Sequence, residues 1–243
     1  MLDNNVTQRI SVDLNCDTPY SEPDSRFYRI KRKMMYSNLL KIIHRYVGNR
    51  VSASILEVGT GSGFLLSFLE NKYPNYFFKG LEYDPRLVQL TNSKLNRSVV
   101  IQGNAEDFHS FGSFDLLVSS QVIEHLYSPV NFILSAKSVL KENGVLVFTT
   151  PNLDCIARRL LGNKWHGYRY DHVSLKTRKE WDELLVKNGF ERIYSGSTFF
   201  SGIPVLNRFP LGIINWMLLY FIGSLRWNMG ESYVGVFRLS SKK

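Results

Sequence analysis

The stretch from Ser54 to Gly63, Ser-Ile-Leu-Glu-Val-Gly-Thr-Gly-Ser-Gly, joins a short apolar run to a glycine-rich turn. An apolar segment over residues 64–70 follows, so the pattern predicts a strand, a glycine loop and a helix. Glycines in such a loop let backbone N–H groups and the helix N-terminus approach a ligand closely. The dinucleotide fingerprint Gly-x-Gly-x-x-Gly would place its third glycine where this chain has Phe64, so the spacing does not match that class.

The acid that precedes the alternate glycines points to a different ligand. Glu57-x-Gly59-x-Gly61-x-Gly63 resembles the loop of class I S-adenosylmethionine-dependent methyltransferases. The resemblance implies S-adenosylmethionine as the cofactor, with its methionine end held by five residues: Glu57, Gly59, Thr60, Gly61 and Gly63. The alternative is a glycine-rich turn that only allows a strand and a helix to pack tightly.

Strands and helices alternate from residue 54 to residue 152 without a gap. We predict strands over residues 54–58, 76–81, 99–102, 114–120, 145–149, 190–197 and 232–240. The alternation predicts an α/β fold in which helices cover both faces of a parallel sheet. The resemblance further implies a Rossmann-like, seven-stranded, mostly parallel sheet whose last strand is antiparallel.

A second acid is predicted to bind the ribose of the cofactor. Glu82 follows the second predicted strand and lies 23 residues after Gly59, close to the roughly 20 residues expected for a ribose-binding acid. We predict Glu82 and its neighbour Tyr83 as cofactor-binding residues. Asp84 is the alternative acid, but Asp84-Pro85 is typical of a helix N-cap and first helical position.

The carboxyl ends of the third and fourth strands complete the predicted cofactor site. Related methyltransferases often have Gly-Asp-Ala after strand three, and this chain has Gly103-Asn104-Ala105. The resemblance implies that Asn104 and Ala105 lie near the adenine, although Asn104 could instead only cap a turn. Ser120 and Gln121 are included because ligands bind at the carboxyl ends of strands in open α/β sheets.

Two short motifs narrow the resemblance. Glu124-His125 follows strand four and Thr150-Pro151-Asn152 follows strand five, which is similar to the branch that includes the ubiquinone-biosynthesis O-methyltransferases. The resemblance implies catalytic roles for Glu124, His125 and His172. Both histidines are candidate general bases because imidazole titrates near neutral pH. The alternative for His125 is a hydrogen bond that orients the loop.

The same branch uses a divalent metal in some members. There, a carboxylate three residues before Glu124 joins Glu124 and His125 around the ion. This chain has Gln121 at that position, so we predict no metal site. Near His172, the aromatic residues Trp165, His166, Tyr168 and Tyr170 are candidates for stacking on an acceptor.

Composition and charge limit the remaining possibilities. The chain has 243 residues, of which 44% are hydrophobic, so it can build a full core. Its two cysteines, Cys16 and Cys155, have no metal-site spacing, and the polar N-terminus lacks an apolar secretory core. We therefore expect a cytoplasmic protein. The net charge of +9 suits an anionic substrate, an anionic membrane surface or nucleic acid, or is merely a basic surface.

We predict two parts of the chain. Residues 1–50 form an arm and a covering helix, and residues 51–243 form a methyltransferase domain with a hydrophobic helical insertion at about 203–228. The segment 212–225 is apolar almost all round a helix and, at roughly 21 Å, too short to cross a bilayer core of about 30 Å. Three interpretations stay open: a core or dimer helix, a lid over the substrate, or a helix that lies in the surface of a membrane at its inner face.

The main hypothesis is O-methylation of a small or lipid-linked hydroxyl acceptor, such as a quinone precursor, a sugar or a glycolipid intermediate. The alternatives are a nucleic-acid methyltransferase and a non-catalytic assembly protein that binds the cofactor. Base N-methyltransferases of this fold usually carry Asn/Asp-Pro-Pro-aromatic after strand four, where this chain has Ser119-Ser120-Gln121-Val122. Nucleic acid is therefore an unfavoured partner, and the oligomeric state is left open.

Overall fold

A computed structural model describes residues 26–208 and 210–240, without the side chains of residues 26–32 and 35. The predicted N-terminal arm over residues 1–25, with Cys16, lies outside the described residues. The chain is described from helix α1, Arg26–Val47, so a helix is present in this part as predicted, and its covering role stays a prediction.

In the described part of the chain, eight strands and six further helices follow α1. The strands are β1 Ser54–Val58, β2 Phe77–Glu82, β3 Val99–Gln102, β4 Phe114–Ser120, β5 Leu140–Pro151, β6 Phe190–Thr198, β7 Ser224–Leu225 and β8 Ser232–Leu239. The helices are α2 Phe64–Lys72, α3 Pro85–Asn92, α4 Pro129–Val139, α5 Ile156–Leu161, α6 Arg178–Lys187 and α7 Leu211–Phe221. Short 3-10 turns cover Ile123–His125, Gly162–Lys164 and Pro204–Asn207.

All eight strands join one sheet in the order β3-β2-β1-β4-β5-β8-β6-β7. Strands β1 to β5 run parallel, and β8 lies antiparallel between β5 and β6. The predicted α/β class and the antiparallel last strand are confirmed. The predicted number of seven strands is wrong, because the two residues of β7 extend the edge beside β6.

The core consists of two apolar layers on opposite faces of the sheet. Leu117 of β4 belongs to one layer with buried residues of α4 and α6, and its neighbours Leu116 and Val118 belong to the other layer with α1 and α2. All three side chains are fully buried. Alternation along a strand buried on both faces is what a parallel sheet covered by helices requires.

The hydrophobic insertion forms α7, and it packs against α1. Lys41 of α1 donates its Nζ to the carbonyl oxygens of Tyr220 and Phe221 at 2.6 Å and 3.3 Å, at the end of α7. The predicted helix over 212–225 is too long, because the chain turns at Gly223, which has a φ of +77°. Among the described residues no helix is both long and apolar enough to cross a membrane.

Candidate active site

The glycine loop after β1 adopts the backbone that only glycine accepts readily. Gly59, Gly61 and Gly63 have φ values of +78°, +52° and +75°. A Cβ on Gly59 would meet Val122, and one on Gly63 would meet Thr91, within 2.3 Å in each case. A Cβ on Gly61 would meet nothing within 4 Å. The loop therefore packs tightly at both ends and leaves open space at its middle glycine.

Two buried side-chain oxygens at this loop have no hydrogen-bond partner among the described residues. The Glu57 side chain is 3% exposed, and neither its Oε2 nor the Oγ1 of Thr60 bonds to any described residue. Burial raises the pKa of Glu57 well above its usual range, nearby Glu82 raises it further, and the Leu66 N–H opposes the shift. A buried carboxyl beside an open cradle suits the cationic end of a ligand, because a positive charge would favour its ionised form.

Glu82 ends β2 directly opposite the glycine loop. Its Oε2 accepts a hydrogen bond from the Gly61 N–H at 2.8 Å, and its Oε1 accepts from the N–H groups of Tyr83 and Asp84 at 2.9 Å and 3.1 Å. Asp84 instead caps α3 and pairs with Arg86 at 2.7 Å. The geometry therefore favours Glu82, and not Asp84, as the acid that faces the glycine loop.

The predicted adenine-binding residues follow β3. Asn104 Oδ1 accepts the N–H of Glu106 at 2.9 Å, so the side chain caps a turn and presents its amide NH₂ as the remaining polar group. Ala105 is half-buried against the core, while Tyr83 is 64% exposed. The structure places these residues beside the ends of β2 and β3, and their contact with adenine stays a prediction.

At the end of β4 the chain turns sharply toward the glycine loop. Gln121 has a φ of +57°, and its N–H donates to the Thr149 carbonyl at 2.8 Å. Ser120 Oγ lies 2.9 Å from Thr149 Oγ1, so neighbouring β5 holds the turn. Val122 then packs on Gly59, which brings the segment that carries Glu124 and His125 beside the cofactor loop.

Glu124 is fully buried below this segment. Its Oε2 accepts a hydrogen bond from Thr150 at 3.0 Å, and its Oε1 has no partner among the described residues. Burial raises the pKa of Glu124 to about 8. The Thr150-Pro151-Asn152 motif thus supplies a hydroxyl to this carboxyl, a link that the sequence did not reveal.

His125 and His172 meet edge to face, with ring centroids 4.7 Å apart. His125 Nδ1 lies 3.0 Å from the Asp171 carbonyl oxygen and 3.4 Å from its carboxylate, and His172 Nδ1 lies 2.8 Å from the Gly167 carbonyl. A carbonyl accepts, so each Nδ1 carries the proton and each Nε2 is left as an acceptor. Burial and the nearby His125 lower the pKa of His172.

Asp171 orients His125, and its place in the sequence indicated no role. Arg169 donates to its two carboxylate oxygens at 2.9 Å and 3.0 Å. Burial acts to raise the pKa of Asp171, but the hydrogen bond from Arg169 and the charge of His125 outweigh it, so the pKa is lowered. The carboxylate therefore stays charged beside His125. The sequence contains Asp171-His172, but it does not show that Asp171 contacts His125 in the fold.

Glu124, His125 and His172 each offer a ligand atom within 4.8 Å of the others. Imidazole Nε2 atoms whose Nδ1–H groups are held by carbonyls have the orientation that metal-binding histidines adopt. The prediction of no metal site therefore stays untested. These three groups could bind a divalent cation.

The expectation that Trp165 stacks on an acceptor is wrong. Its indole is 1% exposed in a small core of its own, and its Nε1 donates to Glu231 at 2.6 Å. His166 also contacts Glu231, at 3.2 Å. The imidazole of His166 is 62% exposed, and Tyr168 and Tyr170 are 43% and 88% exposed. Tyr168 accepts a hydrogen bond from the Arg158 side chain. This leaves Tyr170, two residues before His172 in the sequence, as the exposed candidate for stacking.

Comparison of this chain with known proteins identifies the family to which it belongs. Residues 28–195 match the family described as a methyltransferase domain. A malonyl-[acyl-carrier protein] O-methyltransferase from Paenibacillus sp. is 28% identical over 180 residues, which are 68% of this chain and 65% of that protein. The enzyme of the same name from Haemophilus influenzae is 31% identical over 166 residues, 68% of this chain and 60% of that protein.

The chain thus spans less than two thirds of the length of these relatives. A solved S-adenosylmethionine-dependent methyltransferase from Thermotoga maritima has a TM-score of 0.63 at 17% identity, covering 89% of this chain and 93% of that chain, which shows the fold. The glycine loop, the buried Glu57 and the matched family agree on the cofactor. The chain belongs to the methyltransferase domain family and is a class I S-adenosylmethionine-dependent methyltransferase.

Proposed function

We propose that this enzyme transfers the methyl group of S-adenosylmethionine to an oxygen atom of a small or lipid-linked acceptor. One observation carries the proposal. Two imidazoles, His125 and His172, lie edge to face, each with its Nδ1 held by a carbonyl, and His125 follows Val122, which packs on Gly59 of the glycine loop. Their Nε2 atoms are the basic groups that removal of a hydroxyl proton requires.

Each residue of the candidate site has a separate role in the proposed reaction. S-adenosylmethionine supplies, when bound, a methyl carbon made electrophilic by the neighbouring positive sulfur. Glu57 and the backbone of the glycine loop would hold and orient it, and Glu82 would accept hydrogen bonds from its ribose hydroxyls. One Nε2 takes the proton of the acceptor hydroxyl as its oxygen becomes the nucleophile. Asp171, anchored by Arg169, stabilises the imidazolium that forms at His125.

A carboxyl acceptor is the second candidate, because two relatives are named malonyl-[acyl-carrier protein] O-methyltransferase. A carboxylate is ionised at neutral pH and needs no base to remove a proton. The two acceptor classes therefore differ in their need for histidine. A hydroxyl substrate requires His125 or His172 for turnover, and a carboxylate substrate does not.

The test is a transfer assay with S-adenosylmethionine labelled in its methyl group. The wild-type protein is incubated with extracted small molecules, extracted lipids, malonyl-acyl carrier protein and RNA in separate reactions. We expect label in a small-molecule, lipid or malonyl product, with a mass gain of one methylene and an alkali-resistant ether where the acceptor is a hydroxyl. Label in RNA alone would refute a small or lipid-linked acceptor, and label on a nitrogen atom would refute oxygen transfer.

A further inference from the structure

Helix α7 carries an exposed apolar face. Ile213 and Ile214 are each 53% exposed, and Phe221 is 67% exposed. The other large apolar residues exposed on α7 and just after it are Leu211, Met217, Tyr220, Ile222 and Leu225. Residues 213, 214, 217, 220 and 221 recur at the three- and four-residue spacing of one helix face, so together they form a continuous apolar surface, called here the α7 face.

The opposite side of α7 fixes the helix to the domain. Asn215 is buried, donates its Nδ2 to the Ser201 carbonyl at 2.9 Å and accepts the Ser201 N–H at 3.1 Å. Leu219 is buried on the same side. Lys41 of α1 holds the carboxyl end of α7. These contacts set the orientation of the helix, so the α7 face is the side directed away from the domain.

The surroundings of the α7 face are cationic. Residues 199–230 contain Arg208 and Arg226 and no acidic residue, and both arginines are exposed. The sequence of α1, which packs against α7, contains seven lysines and arginines and no acidic residue. A second copy of this chain docked on the same face would bring cations against cations, since a two-fold interface pairs a patch with itself.

We propose that the α7 face seats this enzyme on an anionic lipid surface, with the apolar side chains among the acyl chains and the arginines at the phosphates. At 11 residues the helix is too short to span a bilayer, but an apolar face flanked by cations suits a helix lying in the interface. The tryptophans take no part. Trp216 packs on Phe200 with centroids 4.8 Å apart, and the Nε1 of Trp227 donates to Ser197.

Cosedimentation with lipid vesicles tests the proposal. The full chain is mixed with vesicles of phosphatidylcholine containing phosphatidylglycerol and with vesicles of phosphatidylcholine alone, at low and high salt. We expect binding to the anionic vesicles that weakens with salt. Arg226→Gln should reduce it by roughly fivefold, the contribution of one basic residue near an anionic surface.

Two double variants separate the α7 face from a general effect of charge. Ile214→Asp with Phe221→Asp should abolish binding. Val51→Asp with Val186→Asp adds the same charge at two exposed apolar sites outside α7, which are 89% and 52% exposed. This variant should still bind, with only the loss that added repulsion from the anionic lipid causes. Circular dichroism and cofactor affinity check that each variant is folded.

Three results would overturn the proposal. The first is wild-type protein that stays in the supernatant with anionic vesicles at low salt. The second is equal loss of binding in both double variants. The third is a dimer in sedimentation velocity that the α7 variant alone dissociates and that fails to bind vesicles, which would assign the face to a second copy.

Discussion

The two sides of the proposed active site, one for the cofactor and one for the acceptor, are built in different ways. The proposed cofactor side consists of the end of β1, its glycine loop and the end of β2, which all lie within residues 57–82, and the hydrogen bond from the Gly61 N–H to Glu82 joins the loop to β2. The acceptor side is assembled from three separate segments, around Glu124, Thr150 and Asp171. One side is a local motif, and the other exists only once the sheet and the loop after α5 have formed.

Because the two sides are built differently, substitutions should affect cofactor affinity and rate separately. The cofactor side depends on backbone conformation at glycines and on two carboxyls, so its variants should lose affinity. The acceptor side depends on imidazoles oriented by carbonyl oxygens, so its variants should lose rate and keep affinity. The experiments below, from the largest expected effect to the smallest, test whether the two sides act independently.

Gly61→Val should remove measurable binding of S-adenosylmethionine while the domain stays folded. The valine side chain would fill the open space at this glycine and would disfavour its φ of +52°. Gly162→Val is a matched control, because Gly162 has a φ of +53° and equally open surroundings outside the loop. Equilibrium dialysis with labelled cofactor makes the comparison. Unchanged affinity in Gly61→Val, or equal losses in both variants, would contradict the assignment of the loop.

His125→Ala and His172→Ala should both keep cofactor affinity, and at least one should lose about 10²–10⁴ in the single-turnover rate on a hydroxyl acceptor. The exposed His109, hydrogen-bonded to Ser135 and Ser138, provides a control at His109→Ala. Near-normal rates in both variants would remove base catalysis by histidine. Activity that disappears with a chelator and returns with magnesium would instead show that these side chains, with Glu124, hold a metal.

Glu82→Ala should weaken cofactor binding by about 1.5–3 kcal/mol, the contribution of hydrogen bonds to a charged group. Asp84→Ala should leave affinity nearly unchanged and lower the melting temperature, because Asp84 caps α3. Both variants can be measured by dialysis and thermal unfolding. A larger loss of affinity in Asp84→Ala would show that the wrong acid has been chosen for the ribose.

Binding of the cofactor should shift Glu57 toward its carboxylate and release protons. Burial raises the pKa of Glu57 and favours its protonated form in the free protein, and the positive ligand lowers that pKa and favours the carboxylate. Calorimetry in two buffers of different ionisation enthalpy counts the proton. Glu57→Gln should bind more weakly and release none, and equal enthalpies for the wild type in both buffers would rule out this coupling.

Local signals predicted the fold well wherever one segment contains all the information. Helix α6 is one example: Thr177 and Glu180, three residues apart, form the capping box that is a local signal for the start of a helix. The glycine loop is another, since alternate glycines required the positive φ values that the structure has.

Features that depend on distant partners were missed. Strand β7 has only two residues, too few for a periodic pattern, and it exists because β6 offers a free edge. The burial of Trp165 depends on Glu231, which is 66 residues away in the sequence. On the acceptor side, Asp171 and Thr150 gain their importance from contacts with His125 and Glu124 that no local pattern contains.

The most direct test of the division between the two sides is isothermal titration of S-adenosylmethionine into the wild type and into a double variant, His125→Ala with His172→Ala. The account predicts that both proteins bind one equivalent of cofactor with the same affinity, while only the wild type methylates a hydroxyl acceptor. A wild-type protein that binds no cofactor, or a folded double variant that loses its affinity, would contradict it.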